Sequence, residues 1–155
     1  MRRELPGGYE LDDDRGRVDV DAVYRFLAEE AYWVPGRSRE TIERLVRDST
    51  RVIAAYAPDG SLAGFCRVMS DRSNMAWLGD VFVVPEHRGR GLGVELTREA
   101  VEDPEMRDCA WFLATRDAHG LYAKFGFVSP NERTMIRPRR ARERAERIAH
   151  PVTER

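Results

Sequence analysis

Gly89, Gly91 and Gly93 alternate with Arg88, Arg90 and Leu92, directly after the apolar run Val81-Phe82-Val83-Val84 and a proline, Pro85. Glycine permits positive φ and removes the side chain where a ligand must come close to the backbone. Successive amide N–H groups at the start of a helix then form a nest for an anion. Arg88 and Arg90 add positive charge at its rim, so the chemistry that this segment suits is the binding of a phosphate or diphosphate. The dinucleotide fingerprint needs a glycine three residues after Gly91, where Val94 stands, and no Gly-Lys-Ser/Thr run supplies a P-loop. A second group of reactive side chains follows in Asp117-Ala118-His119-Gly120-Leu121-Tyr122-Ala123-Lys124-Phe125-Gly126-Phe127. A third candidate is Asp80, within Trp77-Leu78-Gly79-Asp80-Val81.

These residues need elements to place them. Asp19 is an N-cap candidate for a helix over residues 20–30, with Val23, Phe26, Leu27 and Ala31 on one face. Ser38 caps a second helix over 39–48, where Ile42, Leu45 and Val46 recur at helical spacing. Residues 9–12 read as an opening strand. Residues 51–57 and 62–69 read as a hairpin around Pro58-Asp59-Gly60-Ser61, and 76–84 as a third strand. A helix over 92–101, a strand over 110–115, a short helix over 118–124 and strands from 127 and over 135–137 complete the pattern. This is a mixed α/β (α+β) layout. The strands from Ala76 and Ala110 are joined through a helix, so they run parallel, while the front of the sheet is antiparallel.

Composition narrows the classes. The chain has 155 residues, 42% hydrophobic and 34% charged, which suits one domain. No apolar run is long enough to span a membrane, and the first eight residues lack the apolar stretch of a secretory signal, so the expected location is the cytoplasm. Cys66 and Cys109 lie in apolar surroundings and read as buried small hydrophobes. His87, His119 and His150 show no metal-ligand spacing, so no metal is expected. The net charge is −1, with +4 carried by the residues from Arg137 onward. That divides the chain into a domain over 1–138 and an Arg-rich tail over 139–155. The tail's three Glu and its lack of aromatic interleaving argue against nucleic acid as a partner.

The segment from Val81 to Gly93 resembles motif A of the GCN5-related N-acetyltransferases (GNAT), Arg/Gln-x-x-Gly-x-Gly/Ala, through Arg88, Gly91 and Gly93. The segment around Tyr122, Lys124, Gly126 and Phe127 resembles the family's motif B, Tyr-x-Lys-x-Gly-Phe. The element order is similar too, over about residues 5 to 137. The resemblance implies the GNAT fold: a mostly antiparallel sheet that splays between two parallel strands, with helices on both faces. It implies acetyl-CoA as co-substrate, with its diphosphate on the amides of Arg88, Gly89, Arg90, Gly91, Leu92 and Gly93, and Val94 close by. Its pantetheine arm would pair like an extra strand with Val81, Phe82 and Val83.

By the same resemblance, the Val83 N–H donates to the oxyanion and the Tyr122 hydroxyl protonates the leaving sulfur. Asp80 is the candidate base, directly or through water. Asp117 reads rather as a helix N-cap, His119 has a suitable intrinsic pKa, and His87 is expected to face solvent. The acceptor, a primary amine on a small molecule or a protein, would enter across the first two helices. Glu29, Tyr32 and Trp33 offer it charge and cation–π contact there. The rival readings are a non-catalytic acyl-CoA sensor and a protein lysine or N-terminal acetyltransferase. Members of the family are often dimers, and the tail could serve that end.

Overall fold

The structure is a computed structural model, and it describes residues 1–31, 36–129 and 135. Six strands form one sheet in the order of the chain: β1 (Arg2–Leu5), β2 (Tyr9–Asp12), β3 (Arg51–Tyr56), β4 (Leu62–Ser70), β5 (Met75–Val83) and β6 (Ala110–Phe112). Every neighbouring pair is antiparallel except β5 and β6, which are parallel as the intervening helix requires. Helices α1 (Val20–Glu29) and α2 (Arg39–Asp48) precede β3, α3 (Leu92–Val101) joins β5 to β6, and α4 (His119–Ala123) follows.

The caps act where the sequence places them. Asp19 accepts from the Ala22 N–H, and Ser38 accepts from the Thr41 N–H. Period-two alternation then assigns the two faces of the sheet. Val52, Ala54 and Tyr56 of β3 pack with Val23, Phe26 and Leu27 of α1 and with Ile42 and Val46 of α2. Ile53 and Ala55 point the other way, into a cluster with Leu92, Leu96 and Ala100 of α3 and with Tyr122 of α4. Helices therefore cover both faces.

Three expectations are corrected. The opening strand is the second arm of a hairpin, because Arg2-Arg3-Glu4-Leu5 pairs with β2 in the register Arg3↔Leu11. That strand is too charged to read as one, and its Arg3 finds partners in Glu95 and Glu99 of α3. The strand expected over 110–115 ends at Phe112, and Phe127-Val128 carries no ladder among the described residues. Of the strand expected over 135–137 only Met135 lies among the described residues, and the tail over 139–155 lies outside them.

Two features of β5 position the site. The parallel ladder with β6 spans only Met75↔Ala110, Ala76↔Trp111 and Trp77↔Phe112, so β5 continues past Trp77 with that edge open among the described residues. Against β4 the pairs Phe65↔Phe82 and Arg67↔Gly79 leave Asp80 and Val81 opposite Cys66 alone. This is a β-bulge, and Asp80 occupies its left-handed position with φ +50°. Met75, Trp77 and Phe112 remain partly exposed where the two strands part.

Candidate active site

The loop after β5 takes the shape that its glycines permit. A short turn over Pro85–His87 leads into Arg88, and Gly89 and Gly91 then adopt φ +75° and +78°. Among the described residues, a β-carbon built on either would meet nothing within 4 Å, so both present bare backbone to open space. Gly93 serves a different purpose: a β-carbon there would stand 3.3 Å from Leu121 Cδ1, so its absence lets α3 and α4 come together. Gly91 is the N-cap of α3, and the helix's first internal bond runs from the Glu95 N–H to the Gly91 carbonyl. The amides of Leu92, Gly93 and Val94 thus have no carbonyl within the helix, and the helix dipole adds partial positive charge there.

These groups surround a cavity of about 210 Å3 lined by Val83, His87, Arg88, Gly89, Gly91, Leu92, Gly93, Val94 and Leu121. Arg90 belongs instead to a neighbouring cavity of about 360 Å3 that it shares with Arg3 and Glu95. The cradle fits the diphosphate of a coenzyme: N–H donors, cationic rim and two glycines with nothing over them.

The open edge of β5 runs into this cavity. Val84 N–H donates to the Ala63 carbonyl of the β3–β4 side at 2.9 Å, so the alternation of the strand turns the Val83 amide group toward the opposite edge. The Val83 carbonyl indeed accepts from Arg88 Nε at 3.1 Å, outside the ladder. Arg88 also reaches Glu30 at 3.5 Å, so the end of α1 touches the cradle through a solvent-exposed ion pair. Val81 and Val83 pack toward α3. Phe82 points the other way and stacks on Phe26 at 4.0 Å, which fixes the strand from behind.

Asp80 sits in the bulge of β5. Its carboxylate is buried on the face covered by α1 and α2, 2.5 Å from Arg67 Nε and 2.9 Å from Arg37 Nη1. Burial alone would raise its pKa, but Arg67 and then Arg37 outweigh burial and hold it below the ordinary aspartate range. Arg67 also places Nη1 at 2.7 Å from Met69 Sδ and 3.5 Å from Ser49 Oγ. A carboxylate held ionised by two guanidiniums is a weaker proton acceptor than a free one.

Tyr122 is 8% exposed, follows Leu121 of the cavity wall, and packs edge-on to Phe127 with centroids 5.9 Å apart. Asp117 is not the cap of α4. Ala118 takes that position, and its N–H donates to Thr115 Oγ1 at 3.1 Å. His87 does not face solvent: it is half-buried, and its Nδ1 lies 2.9 Å from the Tyr9 hydroxyl. Glu29 is exposed at the end of α1, while Tyr32 and Trp33 lie outside the described residues. Cys66 is fully buried, and burial pushes its thiol up to about 12, which makes it inert. Arg37, Arg67 and Leu121 were missed from the sequence. The one available signal was Arg67, a lone cation inside the apolar run Phe65-Cys66-Arg67-Val68.

Comparison with known proteins follows the same lines. The family model described as acetyltransferase (GNAT) family matches residues 20–127. A Bacillus subtilis (strain 168) protein, provisionally named a ribosomal protein bS18-alanine N-acetyltransferase, is 31% identical over 116 residues, 70% of this chain and 74% of its own. Glucosamine 6-phosphate N-acetyltransferase 1 of Oryza sativa subsp. japonica is 35% identical over 114 residues, 68% of this chain and 67% of its own. Among solved structures, a GNAT-family protein from Xanthomonas campestris pv. campestris superposes with a TM-score of 0.79 at 34% identity, covering 84% of this chain and 92% of that one. A Deinococcus radiodurans R1 structure shares the fold at 23% identity with a TM-score of 0.71, over 94% and 97% of the two chains. With the glycine cradle, the parted strands and these matches together, the chain belongs to the GNAT acetyltransferase family.

Proposed function

We propose that the protein is an acetyl-CoA-dependent N-acetyltransferase that moves an acetyl group to a primary amine by direct transfer within a ternary complex. The observation that carries this reading is the continuity of two features: the bare-backbone cradle at the start of α3 and the unpaired edge of β5 beside it. A chain of amides bound along Val81 and Val83 would find peptide partners there, and its diphosphate would meet the amides of Gly89 to Val94. When bound, acetyl-CoA supplies an acyl group activated as a thioester.

The protein's own groups divide the remaining work. The Val83 N–H, on the open edge, donates to the acyl oxygen as negative charge gathers on it. Leu92, Gly93 and Val94 hold the phosphates, with Arg88 at the rim. The amine nitrogen forms the new C–N bond as the C–S bond breaks. The amine's proton leaves to water, because Asp80 is committed to its arginines. The Tyr122 hydroxyl gives its proton to the departing sulfur. Glu29, at the end of α1, contributes charge on the acceptor side, Tyr32 and Trp33 being the sequence candidates for cation–π contact with the amine, and the cytoplasm is the proposed location. The relatives named above are named for acetylating an alanine of a protein and an amino sugar phosphate. A primary amine is what those acceptors share, and it is the acceptor class proposed here.

The test is calorimetric titration with coenzyme A, followed by thioester consumption with a panel of amines. The panel includes a peptide with N-terminal alanine and glucosamine 6-phosphate. Binding with turnover on a primary amine is the expected outcome. Binding without turnover on any amine would favour the acyl-CoA sensor, and no binding would remove the reading.

A further inference from the structure

Tyr9 and His87 are 78 residues apart in the chain, and Tyr9 lies outside both motifs that suggested the site. Tyr9 opens β2, is 7% exposed, and places its hydroxyl 2.9 Å from His87 Nδ1, with the two rings edge-on. Arg90 lies over the other side of the arrangement, its guanidinium carbon 5.8 Å from the Tyr9 ring centroid. The His87 backbone is fixed by its own N–H to the Val84 carbonyl at 2.9 Å. His87 lines the same cavity as Gly89, Gly91 and Gly93.

We propose that His87 is a ligand of the coenzyme's diphosphate and that Tyr9 is its positioning residue. The proposal rests on the coenzyme A reading above. A neutral imidazole has one N–H, and its two nitrogens play opposite roles. An anion accepts only from a donor, so a diphosphate in the cavity requires the proton on Nε2. Nδ1 must then accept, and the Tyr9 O–H is the donor in contact with it. Were the tautomer reversed, a lone pair would face the phosphates. The N-terminal hairpin, which stands outside the matched region of residues 20–127, thereby becomes part of the cofactor site.

Calorimetric titration of the full chain with coenzyme A and with pantetheine, which lacks the diphosphate, tests this. His87→Ala is expected to weaken coenzyme A binding about tenfold and to leave pantetheine binding unchanged, as fits loss of one hydrogen bond to a charged group. His87→Gln, which keeps an N–H donor, restores part of the loss. Tyr9→Phe is expected to weaken coenzyme A about threefold, again sparing pantetheine, since the donor N–H survives without its brace. In ¹⁵N-detected NMR of the wild-type complex, His87 should be the Nε2–H tautomer, and Tyr9→Phe should mix the two forms.

Wild-type affinity for coenzyme A in His87→Ala overturns the proposal, as does an Nδ1–H tautomer in the complex. Should His87→Ala fail to fold by circular dichroism, the tautomer measurement on the wild type decides. A wild type that binds no coenzyme A at all defeats the earlier reading instead, so the two failures are distinguishable.

Discussion

Arg67 Nε stands 2.5 Å from Asp80 Oδ2, and this contact holds the left-handed residue of the β5 bulge from the face of the sheet covered by α1 and α2. The bulge shifts the phase of the strand, so that Val81 and Val83 face α3 while Phe82 faces α1. Arg37, which follows α1 and precedes α2, is the second cation on the same carboxylate. The ion pairs thus tie Arg37, just before α2, to the strand that carries the open edge.

Asp80→Asn tests this anchor. Asparagine tolerates the left-handed region as aspartate does, so the change removes charge and leaves backbone strain alone. It strands the buried Arg67 guanidinium, and the expected loss is about 3 kcal/mol in urea unfolding. A variant as stable as the wild type would show that water already solvates the cluster.

Acid sensitivity follows from the same pair. Asp80 titrates below its unfolded value of about 3.9, so between those two values the unfolded chain binds the proton and the folded one does not. The stabilisation is complete above the unfolded pKa and is lost as pH falls through the folded one. Asp12, Asp13, Glu10 and Glu95 are shifted in the same direction. The melting temperature of the wild type should therefore fall steeply below about pH 4. The Asp80→Asn curve should fall less over that range; parallel curves would remove Asp80 from the acid response.

Tyr122→Phe keeps the ring against Phe127 and deletes the hydroxyl alone. The expected result is kcat lowered about tenfold or more with coenzyme A affinity nearly unchanged, the signature of a lost general acid. Unaltered kcat would leave Tyr122 a packing residue.

Gly91→Ala isolates the backbone of the cradle. With φ +78° and open space at the β-carbon, the stability cost is conformational, roughly 1 to 2 kcal/mol. Gly60→Ala, with φ +83° on a distant turn, is the control for that cost. Only Gly91→Ala should weaken coenzyme A in calorimetry, and equal affinity in both variants would argue against the cradle.

Truncation after Pro138 removes the Arg-rich tail. Composition alone sets this boundary, and the expected outcome is an unchanged circular dichroism spectrum and unchanged coenzyme A affinity. Loss of either would make the tail part of the domain.

Local order was legible wherever one residue acts on its near neighbours. Asp19 and Ser38 cap helices through amides three residues on, and the apolar spacing of Val23, Phe26 and Leu27 needs only the helical period. The glycine run was legible for the same reason: positive φ and a helix start are properties of a few consecutive residues. The parallel step from β5 to β6 followed from one intervening helix. The tertiary structure alone decided which charges meet across the chain. Arg67 and Arg37 reach Asp80 from 13 and 43 residues away, and Tyr9 reaches His87 from 78. An aspartate on a strand reads equally as a base or as a polar residue on an outward face, and only the tertiary structure shows that Asp80 is buried between Arg67 and Arg37. The physical reason is range: dihedral preference and capping act within a turn, whereas desolvation and ion pairing depend on which distant segments the packed sheet brings together.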